Sequence, residues 1–315
     1  MTFTIPAQYH QKPLKVFLQA ELGLSARLLS RLKATPCGIL LDGKPVTVRA
    51  TLCEGSTLTL AIDTPSDRPS GIVPSALPLD VLYEDAHILV CNKPGNMPTH
   101  PSHGHYTDTL ANAVAYHARA DKGFVFHPIN RLDRNTSGVV LIARHALAAQ
   151  RLAAAMLHGD IRKTYLALLC GEPMVREGEI ITGIRRQAES IIIREVCGCD
   201  APSAARAQTQ YTVLGAWEPA DKRLPPRLCL VRAQPLTGRT HQLRLHFSYL
   251  GTPILGDDMY GQGALPALLE RQALHACRLE FVHPMSGEPM CLTAPLPEDM
   301  RHLLPNFLSD ADTYG

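Results

Sequence analysis

One carboxylate stands between two guanidinium groups in the loop Asn130-Arg131-Leu132-Asp133-Arg134-Asn135-Thr136-Ser137-Gly138, just ahead of an apolar run. Flanking cations favour the charged form of an acid, and the Asn-Thr-Ser-Gly segment can fold back through side-chain to main-chain hydrogen bonds. A loop ahead of a strand lets a reactive side chain sit at a sheet edge on a firm base. It has no partner acid, so the two-carboxylate chemistry of ordinary glycosidases does not fit. Taken alone, the loop reads first as a surface knot of ion pairs.

Two further groups sit elsewhere in the chain. The stretch GRTHQLRLHFSYLGTPILGDDMYG, residues 238–261, brings Arg239, His241, Arg244 and His246 together among apolar residues. Such an edge could pair an arginine with Asp133 or hold backbone phosphates, or it could be one wet cationic face of a helix or strand. Tyr165, in RKTYLALLCG, stands beside two bases, where an aromatic ring could stack on an unpaired nucleobase or simply pack in a core. His100, His103 and His105 crowd the segment HPSHGH, but spacings of three and two do not place them on one helical face, and no metal site is expected.

These groups need a scaffold. VLYEDAHILVCNKP reads as two apolar runs around an acidic turn, and GVVLIAR as a short buried strand. HALAAQRLAAAMLHGD places Leu147, Leu152 and Met156 on one helical face, and KTYLALLCG is again a strand. RLCLVRAQPL, HQLRLHFSYLG and LHACRLEFVHP follow, with Pro and Gly at the junctions. Separated elements of this kind predict an α+β domain over residues 79–308, a mixed and largely antiparallel sheet flanked by helices. Upstream, residues 1–62 predict a small αα-β unit. Leu14, Phe17 and Leu18, then Leu24, Leu28, Leu29 and Leu32, recur at helical spacing, Ser25 is placed to cap the second helix, and LLDGKPVTV holds an Asp-Gly hairpin turn. Residues 63–78, rich in Pro and Ser, read as a linker, and 309–315 as a C-terminal tail.

With 315 residues, 45% hydrophobic and 19% charged, the chain can bury a large core. A net charge of +2 does not by itself mark a nucleic-acid binder, so the basic stretches matter more. Residues 12–49 hold seven Lys or Arg against two acids, and residues 131–186 hold nine against five. No signal peptide and no apolar stretch of about 20 residues is evident, and nine scattered cysteines fit a reducing compartment, so a cytoplasmic location is expected.

In their order and spacing, NRLDRNTSG, KTYLALLCG, GRTHQLRLHFSYLGTPILGDDMYG and LHACRLEFVHP resemble the signature blocks of the RluA family of pseudouridine synthases, with NKPGNMPTHPS at 92–102 resembling its first motif. Residues 1–62 resemble the small RNA-binding domain named for protein S-four of the small ribosomal subunit. The resemblance implies a monomeric isomerase needing no cofactor, metal or membrane, which detaches the uracil of a uridine in structured rRNA or tRNA, rotates it and rejoins it through carbon 5. It implies that Asp133 is the catalytic carboxylate acting on a flipped-out base, either attacking covalently or removing a proton from the sugar. It further implies that Tyr165 stacks on the base and that Arg239 pairs with Asp133. Arg131 would fill the space that the uridine leaves, and Leu274 would touch the base; Arg134, His241 and Arg244 would complete the substrate contacts. At Asn130 the chain departs from the family loop, which commonly has His there.

Overall fold

The computed structural model describes residues 1–62, 71–121, 124–261 and 269–305. The first half of the expected linker, 63–70, and the tail 309–315 lie outside the described residues.

An eleven-stranded sheet organises the larger unit. From one edge its strands run Arg194–Cys197, Glu177–Arg186, Ala205–Trp217, Leu228–Pro235, Arg162–Cys170, Leu274–Val282, Ser137–Ala143, Ile88–Lys93 and Asp80–Glu84, with Pro289–Thr293 and His127–Pro128 attached to the side. All pairings are antiparallel except one: Ser137–Ala143 runs parallel to Leu274–Val282, with Ser137 opposite His275 and Gly138 opposite Ala276. The sheet is thus mixed and mostly antiparallel, as the sequence predicts. The parallel contact lies where the Asp133 loop enters the sheet. There Gly138 has φ +119°, and a Cβ on it would stand 2.2 Å from the Ala276 carbonyl oxygen, so only glycine lets the two backbones approach.

Local chemistry explains the elements. Asp85 Oδ1 accepts the main-chain N–H groups of His87 at 2.7 Å and Ile88 at 2.8 Å, which closes the acidic turn between the strands Asp80–Glu84 and Ile88–Lys93. The helix Ala146–His158 starts on His145, whose Nδ1 accepts from Ala148 N–H, and stops on Gly159 at φ +84°. Between Cys170 and Arg227 the sequence reading assigns no elements, yet three strands lie there. Along Ala205–Trp217 buried and accessible positions alternate, but many of the residues are Thr, Gln, Ala and Gly, which weaken the apolar signal.

The N-terminal unit has the predicted two helical segments and hairpin. Ser25 Oγ accepts from Leu28 N–H, and Asp42 and Gly43 both have positive φ, as a two-residue hairpin turn requires. A strand at the very start, Thr2–Thr4, goes beyond the sequence reading; it pairs with Thr57–Leu60 and completes a four-stranded sheet. This unit does not hang free. It docks on the helix Ala146–His158, where Ser25 N–H donates to Gln150 Oε1 at 2.7 Å and Arg151 Nη2 donates to the Leu22 carbonyl at 3.1 Å. Leu147 of that helix is buried in the N-terminal core. Among the described residues no helix is long and apolar enough to cross a membrane.

Candidate active site

A cavity of about 900 Å³ opens on one side of the central sheet. All eight site residues singled out from the sequence, Arg131, Asp133, Arg134, Tyr165, Arg239, His241, Arg244 and Leu274, line it. The groups come from four separate parts of the chain, so the sheet assembles them.

The Asp133 loop is held by its backbone from several directions. Asn130 is buried and spans the neighbouring strand: its Nδ2 donates to the Val139 carbonyl at 2.9 Å and its Oδ1 accepts from Leu141 N–H at 2.8 Å. The amide of Asn130 therefore supplies a donor and an acceptor at the position where the family commonly has His. Thr99 Oγ1 both donates to the Leu132 carbonyl and accepts from its N–H. Lys93, fully buried, donates through Nζ to the carbonyls of Pro94, Met97 and Arg134 at 2.8, 2.7 and 3.1 Å. Arg271 reaches the Asn135 carbonyl, Gln272 reaches Thr136 Oγ1, and Ser137 Oγ meets Nδ1 of His275 at 2.9 Å. In contrast, the Asp133 carboxylate has no hydrogen bond or ion pair among the described residues. The loop backbone is held by these bonds, and its acid is left available.

Tyr165 and Leu274 lie on the same face of the sheet beside it. Leu274 is opposite Ala167, two residues along from Tyr165, so the alternation of a strand puts all three side chains on one side. Tyr165 is 8% exposed. Burial pushes its hydroxyl above the ordinary tyrosine range, and the charge of Asp133 adds to this, so the phenol stays neutral.

The arginines depart from the expected pairing. Arg239 is exposed and donates from Nε to the Arg206 carbonyl at 3.0 Å; it forms no ion pair with Asp133. The inward guanidinium is instead Arg244, on the helix Gln242–Tyr249. At 3% exposure it grips Asp257 through two hydrogen bonds of 2.7 Å and reaches Asp258 at 2.8 Å. Burial pulls its pKa down, but the bond to Asp257 and the charges of Asp257, Asp133 and Asp258 together hold it above its ordinary value. Arg239 sits too far out because Gln242 pins the turn before the helix: Gln242 Oε1 accepts from Arg239 N–H and Thr237 Oγ1. His246 does not form part of a wet cationic face either. It is fully buried, between Thr182 and Thr209.

At the mouth Arg134 is anchored by two hydrogen bonds to Asn96 Oδ1, while Arg131 is exposed with no hydrogen-bond or ion-pair partner among the described residues. His100 packs edge-on against Phe126, and His105 Nδ1 meets Asp108 Oδ2 at 2.6 Å. Among the described residues no group of three or more His, Cys, Asp or Glu could hold a metal ion. Sequence reasoning missed the supporting residues Lys93, Thr99, Lys163, Arg194 and Tyr260. Lys93 gave a signal as a lone base ending the apolar run ILVCN, and Lys163 as one of the two bases beside Tyr165.

Comparison with known proteins matches this chain to the family model described as RNA pseudouridylate synthase, over residues 87–249. An uncharacterized RNA pseudouridine synthase, YjbO of Bacillus subtilis (strain 168), is 37% identical over 286 residues, covering 90% of this chain and 95% of the relative. Ribosomal large subunit pseudouridine synthase D of Zymomonas mobilis is 35% identical over 254 residues, covering 77% of each. Among solved structures, human RNA pseudouridylate synthase domain containing 1 superposes with a TM-score of 0.57 at 28% identity, covering 69% of this chain and 83% of that one. The sheet, the ordered blocks and these relatives agree, and the chain belongs to the RluA family of RNA pseudouridine synthases, isomerases that act on RNA.

Proposed function

We propose that this chain converts specific uridines of structured RNA to pseudouridine, with Asp133 as the catalytic carboxylate acting on a base flipped into the cavity. The observation that carries this reading is an unpaired carboxylate on a loop whose backbone is tied down on every side. A group held in one place loses little freedom when it reacts, and an acid without a partner has its oxygens free for the ribose or the base. The flipped uracil would lie against Tyr165 and Leu274, with the neutral phenol offering a flat apolar face. Arg131, unpartnered at the mouth, is placed to fill the gap left in the RNA, and Arg134, Lys163 and Arg239 can take phosphates.

Arg244 is the cation we assign to the neighbourhood of Asp133, in place of Arg239. The Asp257 clamp holds it while the charge of Asp133 supports it. Residues 1–62 are proposed as an RNA-binding unit of the S-four type, on the strength of Lys12, Lys15, Arg27, Lys33, Lys44 and Arg49, all on its exposed surface.

Relatives named as ribosomal large subunit synthases support ribosomal RNA as the first substrate to examine. The test is pseudouridine mapping of total RNA from cells with the gene, without it, and with Asp133→Asn in its place. A site missing from both altered strains names the uridine; no site missing from either would overturn the proposal.

A further inference from the structure

Tyr260 touches no substrate in the roles assigned above, yet it joins three pieces of the site. Its main-chain N–H donates at 2.8 Å to Asp257 Oδ1, part of the carboxylate that clamps Arg244, and the Arg244 guanidinium lies over its ring at 5.2 Å. Its hydroxyl has two neighbours among the described residues: the main-chain N–H of Arg194 at 3.0 Å and Nδ1 of His241 at 2.8 Å.

Counting donors and acceptors settles where the hydrogens go. A main-chain N–H can only donate, so the Tyr260 oxygen accepts from Arg194. The phenol hydrogen then has one acceptor in reach, Nδ1 of His241. Were Nδ1 protonated, the phenol would accept twice, and its own hydrogen would be unpaired on a residue only 8% exposed. Nδ1 therefore accepts, and in the neutral ring the hydrogen sits on Nε2.

Nε2 has no hydrogen-bond partner among the described residues, and His241 lines the cavity. The backbone of His241 is left-handed, φ +58°, immediately ahead of the helix Gln242–Tyr249. Left-handed backbone is uncommon outside glycine, though histidine enters it more readily than most side chains, and residues held there cluster at functional sites. Burial favours the neutral ring; Arg244 and Arg194 act in the same direction, while Asp133 and Asp257 oppose it.

We propose that His241 positions the flipped base by donating from Nε2–H to a uracil carbonyl oxygen, and that Tyr260 is the positioning residue that fixes this tautomer. The proposal rests on the reading that a uridine enters this cavity. Uracil offers two carbonyl acceptors on its ring, so a neutral N–H donor beside the carboxylate suits it.

The tautomer is tested on the RNA-free protein. Long-range proton–nitrogen correlation on the histidine-labelled enzyme, with His241 assigned by substitution, is expected to show the neutral Nε2–H form. Tyr260→Phe is expected to mix the tautomers and raise the protonation midpoint. An Nδ1–H form in the wild type, or an unchanged spectrum in Tyr260→Phe, overturns the lock. The base contact is tested by single turnover. His241→Gln keeps an amide donor and His241→Leu does not, while both are unbranched at Cβ and meet the same backbone penalty. Leu is expected to lose at least about tenfold more rate than Gln, and 2-thiouridine or 4-thiouridine at the target is expected to slow the wild type more than the Leu variant. Equal rates for Gln and Leu, or no difference with either thio base, overturn the contact. A wild type that forms no pseudouridine on any RNA would instead sink the functional reading and leave the tautomer result standing.

Discussion

The buried ammonium of Lys93 donates to the main-chain carbonyl of Arg134 at 3.1 Å, one residue beyond Asp133. Two more carbonyls, of Pro94 and Met97, complete its three donors. The three carbonyls and the charge of Asp133 offset part of the cost of burying the ammonium. The relationship ties the first motif, NKPGNMPTHPS, to the Asp133 loop.

Lys93→Met should cost on the order of 3 kcal/mol of stability, because three main-chain carbonyls lose their donor. Burial pushes Lys93 down to about 7. Between that value and the ordinary lysine range the unfolded chain binds more protons, so the wild type should gain stability as pH rises through this window. The Met variant should lose that rise. Urea unfolding at pH 7 and pH 9 reads both effects, and parallel pH profiles for the two proteins would refute the account.

Asp133→Asn keeps shape and removes the charge. Isomerisation should fall by roughly a thousandfold or more, while RNA affinity stays within about threefold, since the loop backbone is unaltered. Tritium release from 5-tritiated uridine RNA measures the first and filter binding the second. Retained turnover would remove Asp133 from the chemistry.

The two arginines should separate. Arg244→Lys loses the fork onto Asp257 and should destabilise the fold by about 2 kcal/mol or more as well as slow the reaction. Arg239→Ala breaks one bond to a carbonyl at an exposed site and should act mainly on RNA affinity. If Arg239→Ala instead matched Asp133→Asn in turnover at saturating RNA, the assignment of Arg244 as the inner cation would be wrong.

Three buried histidines should make the protein acid-sensitive. Burial pushes His145, His246 and His275 each down to about 4. In each ring one nitrogen accepts: Nδ1 of His145 from Ala148 N–H, Nδ1 of His275 from Ser137 Oγ because its Nε2 donates to the Ala294 carbonyl, and one of the two nitrogens of His246, which lie against the hydroxyls of Thr182 and Thr209. Their folded values lie below the ordinary histidine value, so stability is complete at neutral pH and is lost as pH falls. Each should cost about 2 kcal/mol between pH 7 and pH 5. Chemical denaturation across that range measures the slope, which His246→Gln should reduce by about one third.

The N-terminal surface should govern salt dependence. Replacing Arg27, Lys33 and Lys44 together by Gln should lower the slope of log affinity against log salt by about 0.7 to 0.9 for each RNA phosphate that is no longer neutralised. This substitution preserves the docking of the unit on Gln150 and Arg151, which a deletion would expose. An unchanged slope would show that this face does not meet the RNA.

The sequence by itself determined the residue types and their order: the Arg-Leu-Asp-Arg loop, the Tyr165 strand, the basic block from Gly238, and the strands and helix around them. These are local properties, set by period, turn chemistry and spacing, and the family resemblance needs nothing more. Asn130 was legible only as a departure, and its role appeared once Val139 and Leu141 were seen on either side of its amide. Which arginine faces Asp133 was decided in three dimensions, because Gln242 fixes the turn that carries Arg239 outward and Asp257 draws Arg244 in. The strands between Cys170 and Arg227 pair with their neighbours in sequence, but Thr, Gln, Ala and Gly dilute their apolar alternation. The buried state of His246 and the packing of the N-terminal unit on Gln150 depend on partners far along the chain, and contacts of that range leave no periodic mark in a single sequence, so only the packed structure determines them.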